Sequence, residues 1–425
     1  MKKIIYQVLP RLWGNGKMSD WGDKAFAYVK SLGVDYIWYT GIPRHASGKD
    51  FVKGDPGCPY SITDWMDINP YLADDPDRRL EEFDALVKRI HSAGLGCIID
   101  FIPNHVACDY QGKIVHHDWC DGDWTDTLKN DYSDPRTFDA CLEILCFWAS
   151  RGVDGFRCDM VELVPADAMK GLIRAVRQDY PDMVFIAEVY GKDNYRRYIE
   201  DVGFDLLYDK SGVYDSLRAV VGSACTARSL TWNWQWLGDM QPSMLNFLEN
   251  HDEQRLASPW FAGEPEKGYA ALAYSALFNT ASFMLYFGQE AGEDASEGDQ
   301  GRTSIFNWCD PSAVRALNSY IDTGKGLDRR RRSILAHYRE IMKLASSPVF
   351  REGGTWDLCY CQHDGFDADR HTAFLRYNAS GAWAVFCNFS EEEAVLDLFI
   401  PSEPLGREVN VHVKAGAYSY AVVKV

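Results

Sequence analysis

"VDGFRCDMVEL", residues 153–163, ends a short apolar run by presenting Arg157 and, two residues on, Asp159. Alternation along a strand puts positions i and i+2 on one face, so these two side chains point the same way. Pointed inward near a strand end, they form a pre-arranged cation and carboxylate. What such a pair is for depends on what the rest of the chain brings beside it.

Working outward, similar runs recur, each followed by a longer amphipathic stretch. They read KIIYQVL (3–9), VDYIWY (34–39), GCIIDFI (96–102), VDGFR (153–157), MVFIAE (183–188), FDLLY (204–208), MLNFLE (244–249) and SFMLYF (282–287). Helical patterns lie between them, such as 75–94 and 134–152, both opening on Asp-Pro and closing at Gly. Eight β-then-α units predict an α/β protein of the (β/α)8 TIM-barrel class, whose parallel strands are buried on both faces and lack alternation. An open doubly wound sheet is the runner-up. It would favour a Gly-rich phosphate loop after the first strand, and PRLWGNGKMSD (10–20) is not one.

Two regions depart from the repeat. Residues 107–133 form a short polar, aromatic-rich insert after the third strand. From about 350 the pattern changes to short β-runs separated by turn residues. The expected domains are a catalytic barrel over 1–349, containing the insert, and an antiparallel β-sandwich over 350–425.

Composition narrows the function. The chain has 425 residues, 46% of them hydrophobic, and a net charge of −18. Nucleic acid and anionic membranes both need a basic surface, so neither is expected as a partner. The opening MKKIIYQVLPRLWGNG has an apolar run too short for a signal peptide, and no stretch suits a membrane span, so a cytoplasmic protein is expected. Twelve cysteines are scattered without a CxxC pair, several in apolar segments (Cys97, Cys146, Cys387), which suits reduced thiols.

In a barrel, chemistry gathers at the C-terminal ends of the strands. The acidic residues there are Asp100, Asp159, Glu188 and Asp252, in company with Arg157, His105 and His251. A divalent-metal site is one reading, but hard metals favour carboxylates clustered in one loop. Paired carboxylates are the other. Arg157 would hold Asp159 ionised as a nucleophile, and burial would keep Glu188 protonated as an acid. Two such groups about 5–5.5 Å apart define a retaining glycosidase.

At these residues the chain resembles the α-amylase family, glycoside hydrolase family 13. DFIPNH (100–105), GFRCD (155–159), IAEVYG (186–191) and FLENHD (247–252) are similar to its four signature regions, in order and each at its expected strand end. YQVLPRLW (6–13) and LYFGQE (285–290) also fit. The resemblance implies Asp159 as nucleophile, Glu188 as general acid/base and Asp252 as the third, transition-state carboxylate. It implies Arg157, His105 and His251 lining the glucosyl subsite, with Tyr60 stacking on the sugar. Asp100 and Asn104 would hold the architecture. The implied partner is an α-1,4-glucan of the starch type, or a maltooligosaccharide.

The departures carry their own expectations. Members commonly have Lys and His three and four residues after the nucleophile, the His backbone helping to ligate calcium. Here those places hold Glu162 and Leu163, so no cofactor is expected to be required. Asn104 and the insert's Asp118, Asp121, Asp123 and Asp126 keep calcium open as the alternative. Ser61 follows Tyr60 where chain-end trimmers often have Asp, which favours an open, endo-acting cleft. Trp232, Trp234 and Trp236 alternate in TWNWQW (231–236), either as a sugar platform or as packing. His116 and His117 read as exposed, the run RRRR (329–332) as a solvated helix start, and His45 as a residue of the second βα loop to which no place in the cleft is assigned. The reading is a retaining hydrolase of α-1,4-glucosidic bonds. An α-glucosidase, a transglycosylase or a non-catalytic carbohydrate-binding relative are the alternatives, and oligomeric state stays open.

Overall fold

The computed structural model describes residues 1–296 and 298–425. Eight parallel strands close into a barrel: β1 Ile4–Val8, β2 Tyr36–Tyr39, β3 Gly96–Phe101, β4 Gly155–Cys158, β5 Val184–Ala187, β6 Leu206–Tyr208, β7 Met244–Phe247 and β8 Ser282–Tyr286. Each pairs with its neighbours in sequence, and β1 closes the ring against β8 with Ile4 opposite Phe283. Their residues are buried along almost their whole length, which is why the strand sequences lack an exposed face. Inward side chains such as Ile5, Trp38, Ile98, Ile186, Leu245 and Met284 fill the lumen as a packed core.

The helices start where the sequence signals place them. Asp75 accepts from Asp77 N–H at a short Pro76–Arg78 turn that leads into helix Arg79–Ser92. Asp134 accepts from Arg136 N–H at the start of Pro135–Ser150. Asp328 caps Arg329–Ala345, whose Arg330 pairs with Glu266 on the surface, so the arginine run is a solvated helix start. TWNWQW lies on a helix, Arg228–Leu237, not on an alternating strand. At helical spacing Trp232 and Trp236 share the exposed face, while Trp234 turns in against Phe278.

The insert after β3 begins with an antiparallel pair, His105–Ala107 with Thr127–Lys129. A second antiparallel unit follows the barrel. Strands β9 Gly354–Asp357, β10 His371–Asn378, β11 Gly381–Asn388 and β14 Tyr420–Lys424 make one sheet, β12 Ala394–Ile400 and β13 Val409–Ala415 the other. Leu375, Phe386, Leu398 and Val413 are buried between them. Helix Pro348–Glu352 spans the expected boundary at 350. There Arg376, wholly buried, donates to the carbonyls of Leu277, Val349, Phe350, Gly353 and Gly354, so one side chain seams the two units. None of the twelve cysteines is in a disulfide. Among the described residues no helix is long and apolar enough to cross a membrane.

Candidate active site

The carboxylates come together because their strands are neighbours. Asp100 on β3 stands in register with Arg157 on β4, and the backbone ladder continues beyond the strand ends: Asp159 N–H donates to Phe101 O (2.9 Å) and Glu188 N–H to Cys158 O (3.1 Å). Arg157 is fully buried, with the rings of Trp38, Tyr60 and Tyr208 within 5.4–5.6 Å of its guanidinium carbon. Its Nη1 donates to Asp159, and its Nη2 lies 2.9 Å from Glu188 in ion-pair contact without hydrogen-bond alignment. Two arms of one guanidinium therefore hold two carboxylates side by side.

Glu188 is fixed from three directions. Beyond Arg157, its Oε2 accepts Met160 N–H (2.9 Å) and its Oε1 accepts the Tyr190 hydroxyl (2.6 Å). Met160 reaches it from a left-handed backbone, φ +44°, the kind of strain that persists where surrounding structure enforces it. Glu162, standing in the expected lysine place, accepts from the backbone N–H groups of Tyr190 and Gly191 and from Asn194. It therefore braces the loop that carries Tyr190.

Asp252 and the histidines complete the mouth. His251 Nδ1 faces the Gln7 amide (2.8 Å), while its Nε2 lies 2.5 Å from Tyr60 Oη and 3.1 Å from Asp252 Oδ2. With Gln7 donating, the ring proton sits on Nε2, and the Tyr60 hydroxyl is left to donate to Asp100 (3.0 Å). The Tyr60 ring stacks on His251, centroids 5.0 Å apart. His105 donates from Nε2 to Tyr60 O (3.1 Å). Burial lowers both histidines, His105 to about 4 and His251 well below its ordinary range, so both are neutral rings at pH 7.

A cavity of about 340 Å³ opens above this network, lined by Tyr60, His105, Asp159, Glu188 and Asp252, with Tyr190, Trp124 and Phe306 among its aromatic walls. Arg157 and His251 are not in that wall; they lie behind it, where desolvation strengthens their contacts. Ser61 is buried and donates to Asp126 O (2.7 Å), tying down the insert. Asp126 in turn pairs with Lys53 (3.3 Å) at the rim. His45 is bound to Tyr71 and lies outside the cavity, and His117 stacks on exposed Trp119.

Burial raises all three central carboxylates. For Asp159 it outweighs the opposing charge and bond from Arg157, so the guanidinium orients this group without holding it low. Glu188 is raised by burial and by Asp159, against Arg157 and its two donors. Asp252 is raised well above the usual range by burial and by the Glu188 and Asp159 charges, against the Arg157 charge. Its side chain is nevertheless 38% exposed, which tempers that rise. The Glu188 and Asp252 charges oppose one another across the mouth, so the two groups titrate as an interacting pair.

Reading the sequence by strand ends passed over three residues. Tyr190 lies two residues past Glu188, which was the available signal. Gln7 interrupts an apolar strand and fixes the His251 tautomer. Lys129 lies in the insert, far in sequence from the end of any barrel strand. One prediction arises directly. Because Tyr190 donates to Glu188, it favours the ionised carboxylate. Tyr190→Phe should therefore raise the Glu188 pKa and move the basic limb of the kcat/KM profile upward by up to roughly one pH unit. An unmoved limb would show that this bond does not tune the group.

A (β/α)8 barrel with an arginine-linked carboxylate pair and a third carboxylate at its C-terminal mouth is the arrangement of a carbohydrate-active enzyme. The Alpha-amylase family model (alpha amylase, catalytic domain) matches residues 7–137 and 125–340, and the chain belongs to that family of enzymes. Alpha-amylase 3 of Dictyoglomus thermophilum is 20% identical over 396 residues, covering 80% of this chain and 76% of that one. An alpha-1,4-glucan:maltose-1-phosphate maltosyltransferase of Cereibacter sphaeroides is 27% identical over 212 residues, 43% of this chain, which spans only 34% of that protein's length. The crystal structure of an alpha-amylase from Lactobacillus plantarum superposes with a TM-score of 0.75 at 20% identity, over 100% of this chain and 98% of the other.

Proposed function

We propose that the chain is a retaining glycoside hydrolase acting on α-1,4-glucosidic bonds of starch-type glucans or maltooligosaccharides. The observation that carries this reading is Arg157, whose two arms hold Asp159 and Glu188 together on the floor of one cavity. Asp159 attacks the anomeric carbon while Glu188 gives its proton to the departing glycosidic oxygen, leaving a glycosyl ester on Asp159. Glu188, now ionised, takes a proton from the incoming water, which cleaves the ester and restores the configuration. Asp252 binds sugar hydroxyls on the third side, and Tyr60 and His105 shape the pocket for the reacting ring.

A second reading shares every step until the ester is opened. If a sugar hydroxyl replaces water, the product is a transferred chain, the class of reaction that the Cereibacter relative's name describes. A time course on maltoheptaose separates the two. Early products all shorter than the substrate support hydrolysis, and early appearance of longer chains supports transfer. No products at all, with the sugar still bound, would favour a non-catalytic binding protein and overturn both.

A further inference from the structure

Lys129 ends the short strand Thr127–Lys129, opposite His105, and its side chain is only 15% exposed. Its ammonium donates to Asn104 Oδ1, to Asp121 Oδ2 (2.8 Å) and to Leu163 O (3.0 Å). Three protons meet three oxygens, so the group is fully satisfied. Those oxygens come from three separate segments: the loop after β3, the insert, and the turn after Asp159. Asn104 Nδ2 also donates to Asp121 Oδ2 (2.8 Å), which closes the cage on itself. Burial pushes the Asp121 carboxyl up, but the bonds from Lys129 and Asn104 outweigh it and hold the group below its ordinary value.

An amide oxygen, a carboxylate and a backbone carbonyl converging on one point are the donor set of a hard cation. Asn104 and the backbone at 163 are also the places that the family resemblance associates with calcium. Here an ammonium already fills the space between them, so the residues do not fit a resident calcium ion. Among the described residues no cluster of His, Cys, Asp and Glu supplies a replacement site.

We propose that the Lys129 ammonium is a built-in cation that fastens the insert to the loops bearing His105 and Asp159, in the place of a bound metal ion. Removing it leaves a half-buried carboxylate and two carbonyl dipoles without a counter-charge. The emptied cage then accepts an external cation. Lys129 acts on the reaction only through the loops it holds, so it is a positioning residue. That part rests on the function proposed above, whereas the melting measurements below do not.

The test uses the full chain. Wild type should melt within about 1 °C of the same temperature in EDTA and in millimolar calcium. Lys129→Ala should melt about 5–10 °C lower. Calcium or methylammonium should recover much of that loss, while tetramethylammonium, which carries charge without N–H donors, should not. Lys129→Met should lose as much and recover nothing, because its side chain fills the cage. In Lys129→Ala, kcat measured well below the melting temperature should fall and return with methylammonium. If Lys129→Ala does not accumulate folded, refolding in calcium should yield soluble protein, and failure in both conditions overturns the proposal. So does a wild-type protein that loses many degrees in EDTA and regains them with calcium. An alanine variant that melts with wild type, or that no cation restores, overturns it equally.

Discussion

Asp159→Asn is expected to lower turnover by at least roughly 10⁴-fold while leaving the fold and sugar binding intact. The amide keeps an oxygen for Arg157 Nη1, so the guanidinium does not lose its partner, and Arg157 Nη2 still meets Glu188. What disappears is the negative charge on which the proposed ester formation depends. The substitution also removes a negative charge that raises Glu188, so the Glu188 pKa should fall in the variant. An inhibitor whose binding requires protonated Glu188 should accordingly be lost at lower pH than in wild type. In the wild-type enzyme, two displacements at one carbon restore its configuration, and the first product seen by NMR should be the α-anomer. Initial β-anomer would sink the double displacement and the role given to Asp159.

Glu188→Gln should divide substrates by their leaving groups. Natural glucans need a proton on the departing oxygen, and their cleavage should slow by about 10²–10⁴-fold. Fluoride leaves α-glucosyl fluoride without one, so the first step on that substrate should be much less impaired. The amide can keep Met160 N–H on its oxygen and offer its NH₂ to the Tyr190 hydroxyl, so the local structure should survive. Azide needs no general base and should restore turnover of the fluoride by intercepting the ester. Equal loss on both substrates, with no rescue, would make Glu188 structural and point to Asp252 as the acid.

The sequence carried the barrel because each strand's apolar run, and the Asp-Pro starts at 75–76 and 134–135, are local properties. Seven of the eight strands lie inside the apolar runs read from the sequence, shortened where the chain turns, as at Leu206–Tyr208 within 204–208, and Gly155–Cys158 runs one residue past the expected 153–157. The clustered carboxylates Asp159, Glu188 and Asp252 were legible for the same reason: a residue's place at a strand end is set by its neighbours in sequence. TWNWQW was not, since three tryptophans at alternate positions fit a strand and a helix equally until Phe278 packs on Trp234. The pKa balance at Asp159 was also out of reach. Pairing with Arg157 is visible in two letters of sequence, but burial that outweighs it depends on the closed barrel. Lys129 was invisible because its three partners, Asn104, Asp121 and Leu163, meet only after the insert folds back.

Closure of the ring between β1 and β8 joins residues some 280 positions apart, Ile4 with Phe283. On a ribosome adding about 5–20 residues per second, roughly 15–60 s pass between the emergence of the two strands. Throughout that interval the nascent chain carries β1 with one edge unfilled, an apolar ribbon open to any passing strand. Lys2, whose ammonium finds Ala276 O and Asn279 O in the finished protein, is without those partners for the same time. The molecule's vulnerable period thus belongs to its synthesis, and slowing translation ahead of codon 282 should raise its dependence on holding chaperones.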